Sequence, residues 1–210
     1  MFDLDGTLLN TLQDVAHAVN HGLAELGFPQ HRTTTYRGLI GEGRDVLALR
    51  ALPKNHRDHD TVQKLFKHIN DEYAICWANN TCPYPGIPEL LDTLTANDIK
   101  MVVLSNKADD LTKMCVTKLL SRWHFTLIAG ARPSVPNKPD PTGALQIATQ
   151  LDINPSQFLY LGDSGIDMET ANSAGMYPIG ALWGFRSAKE LLAAGAKTLI
   201  AYPEELLHFI

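Results

Sequence analysis

Two short stretches, Met101-Val102-Val103-Leu104 and Phe158-Leu159-Tyr160-Leu161, are apolar at every position. A strand with one wet face would alternate, so unbroken runs of this length belong to strands covered on both faces. Parallel strands of that kind need a crossover between them, usually a helix. Helical spacing occurs where it is needed: Leu111, Met114, Cys115 and Leu119 in one segment, Ala144, Leu145, Ala148 and Leu151 in another. Thr126-Leu127-Ile128-Ala129, Pro178-Ile179-Gly180-Ala181-Leu182 and Thr198-Leu199-Ile200 are further strand candidates. A last helix opens on the capping-box pattern Ser187-x-x-Glu190 and stops at Gly195. Strands alternating with helices predict an α/β fold with a mainly parallel sheet.

The region from Thr11 to Asn80 reads differently. Leu12, Val15, Ala16, Val19, Leu23 and Leu26 share one helical face that Gly27 and Pro29 end. Val46, Leu47 and Leu49 lie between the Gly41-Glu42-Gly43 turn and Pro53, and Val62, Leu65, Phe66, Ile69 and Tyr73 mark a long amphipathic helix. No strand is expected there. The α/β core therefore takes residues 1–10 and 81–210, and 11–80 is an all-helical insertion, a cap over the site.

With 210 residues, 45% of them hydrophobic, the chain can build one good core and a smaller attached domain. A net charge of −5 excludes the basic stripe of a nucleic-acid binder, so no nucleic-acid partner is expected. No apolar run reaches membrane-span length and no signal-peptide pattern opens the sequence. Cys76, Cys82 and Cys115 neither pair evenly nor show metal-ligand spacing. They read as free thiols of a cytoplasmic protein.

Ligands of open α/β sheets bind at the carboxyl ends of strands, so the polar residues after each apolar run carry the chemistry. The first run ends in Asp3-Leu4-Asp5, the second in Ser105-Asn106-Lys107, and the third in Gly162-Asp163, with Asp167 four residues on. Asn137-Lys138-Pro139 lies between the last two. Carboxylates two apart on an extended chain point the same way, so Asp3 and Asp5 can face one reacting group. Gathering them with Asp163 and Asp167 is unfavourable unless a cation sits among them, and oxygen ligands with room for water suit Mg²⁺. The Ser105 hydroxyl and the Lys138 ammonium could then grip a phosphoryl group. Each piece also has a structural reading: Asp-x-Asp-Gly as a turn, Ser105-Asn106 as a helix cap, Asp163 and Asp167 as complements to a helix start, Lys138 as a solvated loop lysine.

Taken together, the sequence resembles the haloacid dehalogenase superfamily, in its phosphoglycolate phosphatase-like branch. Asp3-Leu4-Asp5-Gly6-Thr7-Leu8 is similar to the first motif, Ser105-Asn106-Lys107 to the second and Lys138-Pro139 to the third. Gly162-Asp163-Ser164-Gly165-Ile166-Asp167, with Ala171 and Ala174-Gly175, is similar to the fourth, and Trp183-Gly184-Phe185 and Pro203-Glu204-Glu205-Leu206 to the tail. The resemblance implies a Rossmann-like core with a mobile helical cap, and hydrolysis of a small phosphorylated metabolite such as 2-phosphoglycolate. Asp3 would be the nucleophile and Asp5 the acid/base. Mg²⁺ would be held by Asp3, the Asp5 carbonyl and Asp163, with Asp167 assisting. Ser105, Asn106 through its backbone N–H, and Lys138 would hold phosphate. Arg44, beside the Gly41–Gly43 turn, is the candidate for reading a substrate carboxylate. Two other functions compete: a phosphomutase of the β-phosphoglucomutase type, which tends to carry Val where Thr7 stands, and a non-catalytic binding protein on the same scaffold. Dehalogenation makes no use of Asp5.

Only Met1 and Phe2 precede Asp3, and Asn10 stands where this branch often has Asp. The short first strand leads to the expectation that a few upstream residues are missing or that the start lies earlier. Gly162-Asp163-Ser164-Gly165 also resembles a trypsin-type nucleophile segment, which needs a β-barrel rather than this α/β pattern. His17 and His21 have metal-ligand spacing on a helix but no H-E-x-x-H accompanies them, so they read as solvated or cap-facing.

Overall fold

In a computed structural model that describes residues 1–210, Phe2 forms parallel bridges to both Val103 and Leu161. The two apolar runs thus flank one central strand segment. Phe2 N donates to Val102 O and Leu104 N to Phe2 O, both at 2.9 Å. On the other side Asp3 N donates to Leu161 O and Leu161 N to Met1 O, also at 2.9 Å. The Met1 amino group is buried and donates to Leu159 O at 2.7 Å; burial lowers its pKa to about 5.

In chain order, the two-residue strands β1 (Leu9–Asn10) and β2 (Cys82–Pro83) bracket the helical insertion. The sheet proper contains β3 (Val102–Ala108), β4 (Leu127–Ala131), β5 (Leu159–Gly162), β6 (Tyr177–Ala181) and β7 (Thr198–Ile200). All pairs are parallel, in the order β4-β3-Phe2-β5-β6-β7. The fold is α/β. Helices α4 (Ile87–Ala96), α5 (Asp109–Leu119), α6 (Thr142–Leu151), α7 (Gly165–Ser173) and α8 (Ala188–Ala193) accompany it. Ala144, Ile147 and Ala148 of α6 and Ala171 of α7 pack with Met1, Val102, Leu104, Phe158 and Tyr160. Small residues on both helices let them lie close to the strands.

Two features differ from the sequence reading. β3 runs on through Ser105, Asn106 and Lys107, which sit on the strand rather than capping the following helix. Its register with β4 is regular to Leu104↔Ala129 and resumes only at Ala108↔Ala131. That irregularity carries the strand out of its ladder and turns its polar end toward the site. α4 is a helix not among those expected from the sequence; its buried Ile87, Leu90, Leu91 and Leu94 have helical spacing.

The chain divides into two compact units, Met1–Asn10 with Pro83–Ile210 and Thr11–Cys82. The second is built from α1 (Leu12–Glu25), α2 (Arg44–Ala51) and α3 (His59–Cys76), with 3₁₀ turns and no strand before residue 82. Asp58 caps α3, its Oδ1 accepting from Thr61 N at 3.0 Å. α1 and α3 pack through Val15, Val19 and Leu23 against Leu65, Ile69 and Tyr73, all buried. No helix is long and apolar enough to cross a membrane.

Candidate active site

The central segment ends at Asp3, between the ends of β3 and β5. That places Asp3, Asp163 and Asp167 together, with one carboxylate oxygen from each within 4.8 Å of the others, and all three residues are buried. Such a grouping is tolerable only if something neutralises it. Lys138, itself buried, supplies one charge: its Nζ lies 2.6 Å from Asp167 Oδ1 and 2.9 Å from Asp3 Oδ1, and donates to Leu104 O at 3.1 Å. Burial opposes charging of Lys138, but Asp167 and Asp3 outweigh it and hold its pKa well above the ordinary lysine value.

The carboxylates differ in how much help they receive. Asp167 is engaged at both oxygens, Oδ1 by Lys138 and Oδ2 by Ser164 Oγ at 2.5 Å and Ser164 N at 3.1 Å in a capping box that starts α7. Asp163 accepts from Thr7 Oγ1 at 3.1 Å and from Phe185 N at 2.8 Å. These bonds fall short: burial, then Asp3 and Asp167, push its pKa well above the carboxylate range. Asp3 is raised to about 7, by burial and then Asp167, against the pull of Lys138. Its Oδ1 has no aligned hydrogen-bond donor. A Cβ on Gly6 or on Gly184 would run into the Asp163 side chain, and Gly6 has φ +91°, so both positions need glycine.

Asp5 stands beside this cluster, its carboxylate 3.0 and 3.3 Å from Lys107 Nζ. Asn106 ties the parts together: its Oδ1 accepts from Lys138 N at 2.8 Å, and its Nδ2 donates to Lys138 O at 3.0 Å. The Asn106 side chain is thereby committed to the loop that carries Lys138. Buried Ser105 accepts from Lys107 N at 3.3 Å. Of the residues singled out in the sequence, Asp3, Asp5, Ser105, Asn106, Lys138, Asp163 and Asp167 all lie in the α/β unit around this point. Arg44 opens α2 in the helical unit, where it bonds to Asn70 Oδ1 and sits 5.7 Å over the Phe66 ring.

With all four aspartates ionised, Asp3, Asp5, Asp163 and Asp167 against Lys107 and Lys138 would carry a formal charge of −2. That deficit, an under-satisfied Asp3 oxygen and hard oxygen donors together fit a small divalent cation.

Residues 1–181 match the family model described as haloacid dehalogenase-like hydrolase. The chain belongs to that family. It is an enzyme, a hydrolase, and its curated relatives are named phosphoglycolate phosphatases. That of Aquifex aeolicus (strain VF5) is 33% identical over 185 residues, covering 88% of this chain and 84% of the relative. That of Pseudomonas putida is 30% identical over 204 residues, covering 95% of this chain and 75% of the relative. Among solved structures, one from Lactobacillus delbrueckii subsp. bulgaricus, assigned provisionally to phosphoglycolate phosphatase, superposes with a TM-score of 0.93 at 26% identity. The match covers all of this hydrolase and 96% of that chain.

Three contributors in this hydrolase escaped the sequence reading. Lys107 has a signal in the sequence: it lies two residues beyond Ser105 on the same strand, where alternation puts both on one side. Thr7, in the sequence only a mark of subfamily, donates to Asp163 Oδ1. Trp183-Gly184-Phe185 was noted as a tail likeness, yet Trp183 Nε1 donates to Thr7 O at 3.0 Å and Phe185 N holds Asp163.

Proposed function

We propose that this hydrolase cleaves a small phosphate monoester, of the 2-phosphoglycolate kind, through an aspartyl phosphate on Asp3. The observation that carries the reading is Asp3 itself, a buried carboxylate raised to about 7 with Lys138 2.9 Å away and a second carboxylate, Asp5, two residues on. An Asp3 oxygen attacks phosphorus while the ester P–O bond breaks, and Asp5 gives the departing alcohol a proton. Water then attacks the phosphorus of the acyl phosphate, Asp5 takes its proton, and inorganic phosphate leaves with Asp3 restored. Lys138 and Ser105 hold the phosphoryl oxygens, with the backbone N–H of Asn106. Asp167 positions Lys138, and Lys107 orients Asp5.

Asp3, the Asp5 carbonyl and Asp163 would hold Mg²⁺, with Asp167 behind them. When bound, that ion offsets the repulsion between anionic nucleophile and anionic ester and steadies charge on the transferring group. The helical unit takes the part of a cap, and Arg44 that of reading a substrate carboxylate. An Arg44→Ala variant with unchanged preference among esters would remove Arg44 from the proposal.

The deciding experiment is phosphate release from a panel of phosphorylated metabolites, with and without Mg²⁺, beside Asp3→Asn. Magnesium-dependent release that disappears in the variant is the expected result. Release that persists in Asp3→Asn, or none from any ester, sinks the mechanism.

A further inference from the structure

The histidine pair on α1 does not stand alone. His17 and His21 are one helical turn apart, and α3 presents Glu72 and Cys76, also one turn apart, on the facing side. His17 Nε2 lies 3.0 Å from Glu72 Oε1, and His21 Nδ1 lies 3.8 Å from Glu72 Oε2. Ligand atoms of His17, Glu72 and Cys76 all fall within 4.8 Å of one another. His17, Glu72 and Cys76 thus bring nitrogen, oxygen and sulfur donors together, and His21 stands beside them against Glu72.

We propose that this face of the helical unit binds a single transition-metal dication of the Zn²⁺ class through His17, Glu72 and Cys76, with His21 as fourth ligand. Mixed imidazole, thiolate and carboxylate donors select such an ion over Mg²⁺ or Ca²⁺, which prefer oxygen alone. Tetrahedral zinc holds its ligand atoms about 3.4 Å apart, so closure requires movements of about an ångström. The histidine side chains, 58% and 44% exposed, are free to make them. Cys76 is buried, and its thiol now points to Asp14 O at 3.7 Å, a weak contact that a metal–sulfur bond would replace. Burial, then Glu72 and Asp14, push the Cys76 thiol up to about 11, so metal capture forms the metal–sulfur bond and releases the thiol proton to solvent. The site uses none of the residues assigned to hydrolysis.

Cobalt titration of the metal-stripped full chain tests it. One equivalent of Co²⁺ should produce a near-ultraviolet thiolate-to-cobalt charge-transfer band, which Zn²⁺ abolishes by displacement. Cys76→Ser should remove the band. His17→Ala, at an exposed position that leaves folding intact, should weaken cobalt binding at least about tenfold. Asp3→Asn should leave the band unchanged, because the carboxylate cluster contains no sulfur. A band surviving Cys76→Ser would place the metal on Cys82 or Cys115. That result, unchanged affinity in His17→Ala, or cobalt binding without the band would each overturn the proposal.

Discussion

Asp14 of the helical unit and Asp3 of the α/β unit are both buried carboxylates, and they are treated in opposite ways. Asp14 Oδ1 accepts from Asn80 N at 3.0 Å and Asn80 Nδ2 at 2.8 Å; its Oδ2 accepts from Asn80 N at 2.9 Å, Thr81 N at 2.8 Å and Thr81 Oγ1 at 2.7 Å. Burial alone would raise its pKa, but the bonds from Thr81 and Asn80 outweigh burial and hold it below the ordinary value. Asp3 has two carboxylate neighbours, one ammonium and an oxygen with no aligned donor, and its pKa rises to about 7. Asp14, which ties down the Asn80–Thr81 segment, is saturated by donors. Asp3, the proposed nucleophile, is left short of them, as a group awaiting substrate and cation would be.

The largest expected effect breaks the pair at Asp3. Asp3→Asn removes the proposed nucleophile and should lower the rate of ester hydrolysis by about a millionfold, to background. The next largest breaks it at Asp14. Asp14→Ala leaves the amides of Asn80 and Thr81 buried without their acceptor and should cost about 3–5 kcal/mol in urea unfolding. If Asp14→Ala unfolds at the same urea concentration as the parent, the contrast between the two carboxylates is wrong.

A third effect, of a few kcal/mol, reads the contrast through pH in metal-free protein. Asp3 is raised from 3.8 to about 7 on folding, so between those values the native state binds more protons than the unfolded chain. Its contribution to stability therefore falls as pH rises, beginning near 3.8 and complete above about 7. The difference between Asp3→Asn and the parent reports Asp3 together with its repulsion of Asp163. In EDTA the variant should become the more stable, by a margin that widens from about pH 4 to pH 7. Asp14, with its pKa lowered, contributes stability above 3.8 that is lost only as pH falls through its native value. A constant difference between Asp3→Asn and the parent across pH 4 to 7 would show Asp3 to be as well satisfied as Asp14.

Much of this was legible in the sequence because uninterrupted apolar runs mark the buried strands, and a parallel sheet puts the residues after each run at one edge. Asp3, Ser105 and Asp163 share an edge for that reason, and the bridges of Phe2 to Val103 and Leu161 make them neighbours. Lys138 sits on a loop, where spacing carries no information about direction; its backbone bonds to Asn106 and its ammonium's bond to Leu104 O hold it beside Asp3 and Asp167. Asp14 showed nothing in the sequence, since its partners Asn80 and Thr81 lie across the whole helical unit, and a lone aspartate on a helix reads as solvated. His17 and His21 read as solvated or cap-facing in the sequence, and their facing residues on α3 could not be inferred without the helix pairing. Saturated and unsaturated carboxylates look alike until long-range partners are placed.

The smallest effect sharpens the comparison inside the active site. Asp5 has one basic partner, Lys107, at 3.0 Å, whereas Asp3 shares Lys138 with Asp167. If Lys107 serves to orient Asp5, Lys107→Met should slow turnover by on the order of 100-fold, since an ångström of misplacement costs that much. KM should stay near the parent value, because Lys107 contacts Asp5 and has no assigned contact with the phosphoryl group. Lys138→Met should raise KM and lower kcat together, because that ammonium is proposed to grip the substrate. Equal KM increases in both variants would mean that Lys107 is a second phosphate clamp, and the two lysines would then divide the substrate between them rather than the two carboxylates.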